Sequence, residues 1–276
     1  MPYVTGDKER AVSDVTTPFV PPSIPLGSIG HWLRQGWATY RRTAVPSTGF
    51  AMLFAIIGIA GLYLLTDLGL TPMIYPWAGG FMLVGPALLC GYFELARRVD
   101  GGEPPHWSML WRGFANSPPG LWALGLLSAF LLMVWLTDAA IIYSLYFGRE
   151  PVYLNWTVLP DPEMRDTLWT YFVFSTLVGS VLALIVFAIT AFSVPLLYFH
   201  RLPLTVTIGR SVRIVFANPV TMVGWGLLLT VAIVGTILLF MPAFVVVFPV
   251  LAFASAAAYR EACESPPTGT AHSPGN

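Results

Sequence analysis

The chain has 276 residues, of which 56% are hydrophobic and 10% are charged, and its mean hydropathy is +0.70. Soluble domains contain roughly 45–50% apolar and about 25% charged residues, so the charged side chains here are too few to cover a soluble fold of this length. This excludes a soluble enzyme and a disordered chain, and the zero net charge excludes a nucleic-acid-binding protein. The sequence predicts an all-α membrane protein.

A helix that crosses a bilayer needs about 20 mostly apolar residues, because its backbone must satisfy its own hydrogen bonds in hydrocarbon. Six stretches meet this condition: Pro46–Leu65, Tyr75–Ala96, Pro119–Phe147, Leu168–Phe199, Val220–Leu239 and Ala243–Tyr259. The last two would form a helix about 60 Å long if they were continuous, so we expect a turn at Met241-Pro242. The predicted domain is six transmembrane helices in three hairpins over residues 28–262, between disordered cytoplasmic tails at residues 1–27 and 263–276.

A short basic segment precedes each outgoing span, and its apolar residues recur at helical spacing with arginines on the other side. This pattern is typical of an amphipathic helix that lies in the membrane interface. We expect each segment to be stopped by a proline, namely Pro46, Pro118 and Pro219. We expect each returning span to be bent by a proline, namely Pro86, Pro195 and Pro249. The sequence therefore predicts a three-fold internal pseudo-repeat.

The cations lie almost entirely on one side of the predicted spans, since only Arg149 and Arg165 fall in the loop between the third and fourth. This bias predicts a multi-pass membrane protein with both termini cytoplasmic. The arginines on that side are also candidate contacts for anionic lipid headgroups, unless they serve only to fix the topology. The candidates are Arg34, Arg41, Arg42, Arg97, Arg98, Arg112, Arg210 and Arg213.

Acidic residues inside apolar spans are candidate functional sites. Asp138 stands about 14 Å before the end of the third span, if that span is continuous. It is a candidate proton or cation site, unless the span leaves the bilayer near Trp135. Asp67 is either the equivalent of Asp138 in the first repeat or a carboxylate in a loop at the end of the first span. Glu94 lies three and four residues before Arg97 and Arg98, which favours ion pairing along one helix face over a substrate site.

Several strings resemble a known family: GPALLCGYFELARR at residues 85–98, GEP at 102–104, AFSVPLL at 191–197, Asn218-Pro219, and residues 248–260. Together they are similar to a bacterial family of predicted integral membrane proteins, the domain of unknown function DUF2189, over roughly residues 30 to 262. The resemblance implies a six-span fold in the bacterial inner membrane. It implies no activity.

No arrangement of nucleophile, base and acid, and no phosphate-binding or dinucleotide-binding motif, is found in the sequence. Because these motifs are missing, we expect no catalysis. The cysteines and histidines lack metal-ligand spacing, so we also expect no metal and no cofactor. The favoured function is a non-catalytic protein that interacts with membrane lipids or with a membrane-protein complex. The alternatives are a small-solute or ion transporter or channel with Asp138 in its path, and an accessory or assembly factor of a respiratory complex.

Overall fold

The computed structural model describes residues 19–148, 151–153 and 161–263, except for the side chains at 82–84, 86 and 87. Over these residues the chain is helical, and its only strand-like feature is one isolated bridge between Leu70 and Val152. The helices are α1 (Ser28–Asp67), a short 3-10 helix (Thr71–Met73), α2 (Ile74–Asp100), α3 (Trp107–Ala115), α4 (Pro119–Phe147), α5 (Pro162–Thr190), α6 (Ser193–His200), α7 (Leu204–Ala217), α8 (Pro219–Leu239) and α9 (Met241–Cys263). The predicted all-α class is confirmed.

Among the described residues, five helical stretches are long and apolar enough to cross a membrane. They are α1, α4, the consecutive pair α5 and α6, α8, and α9. Large apolar side chains cover their outer faces, as at Leu126, Leu145 and Leu227, which are 74%, 76% and 60% exposed. Such a surface suits lipid rather than water. The other predicted span, Tyr75–Ala96, lies within the 27-residue helix α2, which is not among the five.

Helix α1 corrects one expectation. Pro46 does not stop the first basic segment, because one 40-residue helix continues through it. The backbone is distorted at Thr43, three residues before the proline (φ −125°, ψ 18°), where the missing proline N–H and the clash of its ring weaken the helix. The Thr43 hydroxyl donates to the Thr39 carbonyl oxygen at 2.9 Å, and the Ser47 hydroxyl donates to Thr43 Oγ1 at 3.0 Å. Hydroxyl groups thus supply hydrogen bonds at the kink.

The other two proline stops are confirmed. Helix α3 ends at Ala115, Pro118 is the residue before α4, and α4 begins at Pro119. Helix α7 ends at Ala217 and α8 begins at Pro219. Proline suits these positions because the first turn of a helix does not use its backbone N–H.

The predicted bend in the fourth span is a break in the helix. Helix α5 ends at Thr190 and α6 begins at Ser193, before Pro195. At the break, the Phe192 N–H donates to Ser211 Oγ at 3.1 Å and the Ser211 hydroxyl donates to the Ala188 carbonyl oxygen at 2.8 Å. In an unbroken helix, the N–H of residue 192 would donate directly to the carbonyl oxygen of residue 188. Here the Ser211 hydroxyl of α7 bridges these two groups instead.

The remaining prolines leave their helices continuous. Helix α9 runs through Pro249 from Met241 to Cys263. Helix α2 runs through position 86, although the Pro86 side chain lies outside the described residues. The interruption predicted at Met241-Pro242 lies one residue earlier, at Phe240 (φ −155°, ψ 76°), and Pro242 falls in the first turn of α9.

Part of the predicted N-terminal tail is attached to the helices. Ile24 is buried and its N–H donates to Asn218 Oδ1 at 2.7 Å. Asn218 Nδ2 donates to the Pro22 carbonyl oxygen at 2.9 Å, and the Thr221 hydroxyl donates to that of Ile24 at 2.8 Å. Residues 22–24 therefore lie against the junction of α7 and α8, whereas residues 1–18 and 264–276 of the predicted tails lie outside the described residues.

Helix α9 is the most buried of the candidate spans and packs most extensively against α1. Its alanines 252, 254, 256, 257 and 258 are all buried. On the facing helix, a Cβ atom at Gly36 would lie 2.5 Å from the Val250 carbonyl oxygen. Small side chains thus allow the two backbones to approach closely, as membrane helices commonly do.

Candidate functional site

Glu94 is the centre of a polar network near the C-terminal end of α2. Its side chain is fully buried. Arg97 donates to Glu94 Oε2 through Nε at 3.0 Å and through one terminal nitrogen at 2.6 Å, and Arg98 Nε donates to Oε1 at 2.6 Å. The predicted ion pairing of Glu94 with both arginines is confirmed, because residues three and four apart share one face of a helix.

Two further residues complete the network around Glu94. The Tyr198 hydroxyl of α6 donates to Glu94 Oε2 at 2.8 Å. Arg98 also pairs with Glu103 at 3.0 Å, and the hydrogen bonds that it donates to Glu94 and, less strongly, to Glu103 raise the pKa of its guanidinium. Sequence reasoning missed Tyr198, since it lies 104 residues away and no local spacing indicates the contact.

A second carboxylate joins three helices on the same side. Asp100, the last residue of α2, pairs with Arg42 of α1 and with Arg260 of α9, each at 3.2 Å. Arg42 also donates to the Val99 carbonyl oxygen at 3.1 Å. Further along α9, Glu261 accepts hydrogen bonds from the Ser28 hydroxyl and from Trp32 Nε1. The sequence analysis singled out neither Asp100 nor Glu261, because their partners are distant in the chain.

The eight candidate lipid-binding arginines fall into different environments. Arg42, Arg97 and Arg98 are engaged by carboxylates, and the Arg210 guanidinium lies 5.1 Å from the centre of the Phe19 ring. Four arginines are exposed and form no ion pair with a described residue. They are Arg34, Arg41, Arg112 and Arg213.

The structure does not bring Asp138 and Asp67 to a common polar site. Asp138 is partly buried on α4, nine residues before that helix ends at Phe147, and it has no hydrogen-bond or ion-pair partner among the described residues. Helix α4 thus continues beyond Trp135. Asp67 is exposed at the last position of α1. In the described part of the chain, no three His, Cys, Asp or Glu side chains are grouped as a metal ion would require.

A cavity of about 590 Å³ lies among α2, α5, α7, α8 and α9. Its walls are almost entirely apolar, and none of the described residues that line it carries a charge. Representative lining residues are Phe81, Ala183, Phe187, Met222, Val223 and Leu251. Asp138, Asp67 and Glu94 are not among the residues that line it. Sequence reasoning missed this cavity, because the space is defined by how distant helices are arranged.

Comparison with known proteins supports the membrane class. No curated protein and no solved structure matches the chain. A family model does match, but over a narrower range than the resemblance suggested. The match includes the strings at residues 85–98 and 191–197. It does not include Asn218-Pro219 or residues 248–260. Residues 74–198 match the family described as predicted integral membrane protein (DUF2189).

Proposed function

We propose that the chain crosses a bacterial inner membrane six times, in three hairpins with both termini in the cytoplasm, and that α2 provides the sixth crossing. Helix α2 has 27 residues and is about 40 Å long, which exceeds the roughly 30 Å of hydrocarbon. Arg97 and Arg98 lie at its end, where the positive-inside rule places cytoplasmic cations. An even number of crossings returns the chain to the side from which it started.

We propose further that the protein is non-catalytic and that its basic segments bind anionic lipid headgroups or an anionic face of a membrane-protein complex. The observation that carries this proposal is the set of exposed arginines that form no ion pair with a described residue. Arg34 and Arg41 lie three and four residues from Trp37, and Arg213 lies three residues from Phe216, so these three arginines are each about one helical turn from an exposed aromatic ring. Cations beside aromatic side chains are typical of helices at a membrane interface.

The three basic segments each begin one unit of the proposed three-fold pseudo-repeat, which continues with an outgoing span and a returning span. They are the first part of α1, helix α3 and helix α7. Each exposes a large aromatic ring, namely Trp37, Trp111 and Phe216. A new helix begins at a proline after the second and third segments, whereas Pro46 lies inside the continuous α1. Three equivalent segments around one bundle present several arginines to one membrane face, where each contributes about 1 kcal/mol of attraction to anionic lipid.

The test measures lipid retained by the purified full-length protein. Native mass spectrometry after exchange into mixed phosphatidylglycerol and phosphatidylcholine is expected to show preferential retention of phosphatidylglycerol. Replacing Arg34, Arg41, Arg112 and Arg213 with Gln should abolish the preference. The single change Arg165→Gln is the control, because Arg165 is an exposed arginine beyond the other end of the spans. Equal retention of both lipids by the unchanged protein contradicts the proposal.

A transport function is the second candidate, and one observation favours it. Asp138 is a carboxylate without a described partner, in the interior of an apolar helix, where ionisable residues commonly mark a proton or ion path. If α4 lines such a path, Asp138→Asn should abolish flux of protons or small cations into liposomes, while Asp67→Asn, at an exposed helix end, should not. Unchanged flux in Asp138→Asn excludes this role for the residue.

A further inference from the structure

The apolar cavity has the form of a long groove that opens sideways between α5 and α8. Its lining along α8 extends from Pro219 to Val234, a rise of about 22 Å over fifteen residues. Lining residues at its rims are strongly exposed, with Leu184 of α5 at 47% and Leu227 of α8 at 60%. Helices α2 and α9 form its floor. The groove is thus accessible from the hydrocarbon region in which the apolar surface of this protein would lie.

The polar atoms of the groove are largely occupied by the helices that carry them. The hydroxyls of Thr190, Thr230 and Ser255 donate to the carbonyl oxygens four residues earlier in their own helices, at 2.7, 2.8 and 2.9 Å. The Thr176 hydroxyl does the same at 2.6 Å and also bonds to the Tyr75 hydroxyl. The surface that remains available is therefore mainly hydrocarbon, which favours an apolar occupant without specific hydrogen-bond groups.

The position and shape of the groove favour a lipid chain as its occupant. Its lining follows α8 for about 22 Å, and its open side faces the region in which lipid tails surround the helices. An extended acyl chain, which is long, narrow and apolar, matches this lining.

The charge at one end of the groove identifies the kind of lipid. The groove ends at Phe216 and Pro219 on one side, and at Tyr75 and Thr176 on the other. Arg213 lies one helical turn before Phe216, is exposed, and forms no ion pair with a described residue. The described residues that line the groove carry no charge at either end, but Arg213 lies only three residues from Phe216. A phosphate group therefore finds a complementary charge at the Phe216 end.

We propose that this groove is a binding site for one acyl chain of an anionic glycerophospholipid, with the lipid phosphate at Arg213. The proposal rests on the proposed membrane function, and it adds a defined site to the general attraction of the basic segments for anionic lipid. The lipid belongs to the leaflet on the side of Arg97, Arg98 and Arg213. Its acyl chain fills the space that the described residues leave open between α5 and α8.

The test uses full-length protein in phosphatidylcholine nanodiscs that contain a small fraction of phosphatidylglycerol with a photoreactive diazirine in one acyl chain. Mass spectrometry of the cross-linked peptides is expected to find the label on both walls, on residues 183–190 and 219–234. Labelling should be competed by unlabelled phosphatidylglycerol. Phosphatidylcholine should compete about fivefold less well, the difference that one arginine contributes at ~1 kcal/mol.

Two pairs of variants test the site itself. Gly226→Phe fills the groove, because a Cβ atom at Gly226 reaches only ordinary contact with Phe187 at 3.8 Å, whereas Gly235→Phe on the same helix projects where no atom lies within 4 Å. Only the first should remove the label from the walls, and Ala183→Phe on the opposite wall provides a second test if the first variant fails to fold. Arg213→Gln should remove the preference for phosphatidylglycerol, and Arg165→Gln should not.

The outcomes separate this inference from the proposed function. Equal labelling of Gly226→Phe and Gly235→Phe shows an unspecific lipid belt and overturns the groove site. Labelling of the walls without a preference for phosphatidylglycerol overturns the role of Arg213. If phosphatidylglycerol is retained in native mass spectrometry but the walls are not labelled, the groove inference fails while the proposed function stands. If neither lipid is preferred in either experiment, both fail.

Discussion

At the residue scale, the buried Glu94 carboxylate is stable because four donors compensate its loss of water. Two come from Arg97, one from Arg98 and one from Tyr198. A buried charge is costly unless it is paired and hydrogen-bonded. Because Tyr198 comes from α6 and the arginines from α2, the carboxylate also fixes how the two helices meet. Glu94 is thus better explained as a structural link between helices than as a substrate site.

We predict that Glu94→Gln lowers the free energy of unfolding by about 2 kcal/mol, because three hydrogen bonds from charged donors lose their carboxylate. The measurement is thermal unfolding of the purified protein in mild detergent. Glu103→Gln is the matched control, since Glu103 pairs with the same Arg98 but is half exposed, and surface ion pairs contribute little. An equal effect of the two variants would show that burial of Glu94 is unimportant.

Ser211→Ala tests the break between α5 and α6. The change removes the hydroxyl that joins the Phe192 N–H to the Ala188 carbonyl oxygen, leaving both groups buried without a partner. We expect a loss of about 1–2 kcal/mol of stability. In Ser255→Ala the lost hydroxyl bonds only to the Leu251 carbonyl oxygen of its own helix, so the change should stay within about 0.5 kcal/mol. Full stability of Ser211→Ala would contradict the inserted-hydroxyl interpretation.

The residues that sequence reasoning identified and those that it missed differ in sequence separation. Glu94, Arg97 and Arg98 are within one turn, so the geometry of a helix predicts their contact without any tertiary information. Asp100 meets Arg42 and Arg260 across separations of 58 and 160 residues. Such contacts depend on how helices pack, which a local pattern does not encode.

At the scale of the helix, the apolar runs and prolines predicted several positions at which a helix is distorted or ends. They did not predict whether the helix there is kinked or broken. The distortion at Thr43 lies three residues before Pro46, and the break at Phe192 lies three residues before Pro195. Both follow from the clash of a proline ring with the preceding turn. Whether the helix continues is decided elsewhere: the long contact of α1 with α9 accompanies a continuous helix, whereas the inserted Ser211 accompanies a broken one.

Gly36→Ala tests the close packing of α1 against α9. A Cβ atom there would lie 2.5 Å from the Val250 carbonyl oxygen and 2.8 Å from the Ala254 nitrogen, so the helices must separate. We expect a loss of about 1–3 kcal/mol of stability. Gly30→Ala on the same helix is the control, because nothing lies within 4 Å of its Cβ position, and it should be neutral or stabilising by up to about 1 kcal/mol. Equal unfolding temperatures would argue against tight packing at Gly36.

At the scale of the whole molecule, apolar side chains lie outside and the most closely packed helix is rich in alanine. This arrangement follows from the solvent, since lipid gives large apolar side chains no reason to turn inward and helices associate through close packing of small residues. Composition therefore predicted the class correctly. It did not predict the groove between α5 and α8, because a gap between helices leaves no pattern in the sequence of either one.

The number of crossings is the property on which the orientation of the whole molecule depends. If α2 crosses, Arg34 and Glu103 lie on the same side of the membrane and Arg165 lies on the other. If α2 does not cross, Arg34 and Glu103 lie on opposite sides, because α1 alone then separates them. We predict six crossings, with Arg34 and Glu103 both cytoplasmic.

Single cysteines at these three exposed positions, in a Cys90→Ala/Cys263→Ala background, distinguish the two topologies. A membrane-impermeant maleimide should label only Arg165→Cys when added to intact spheroplasts, and only Arg34→Cys and Glu103→Cys when added to inverted membrane vesicles. The positions lie outside the apolar stretches and are exposed, so labelling reports the side rather than burial. Labelling of Glu103→Cys in spheroplasts would rule out a crossing by α2. That result would contradict both the even number of crossings and the cytoplasmic placement of all basic segments.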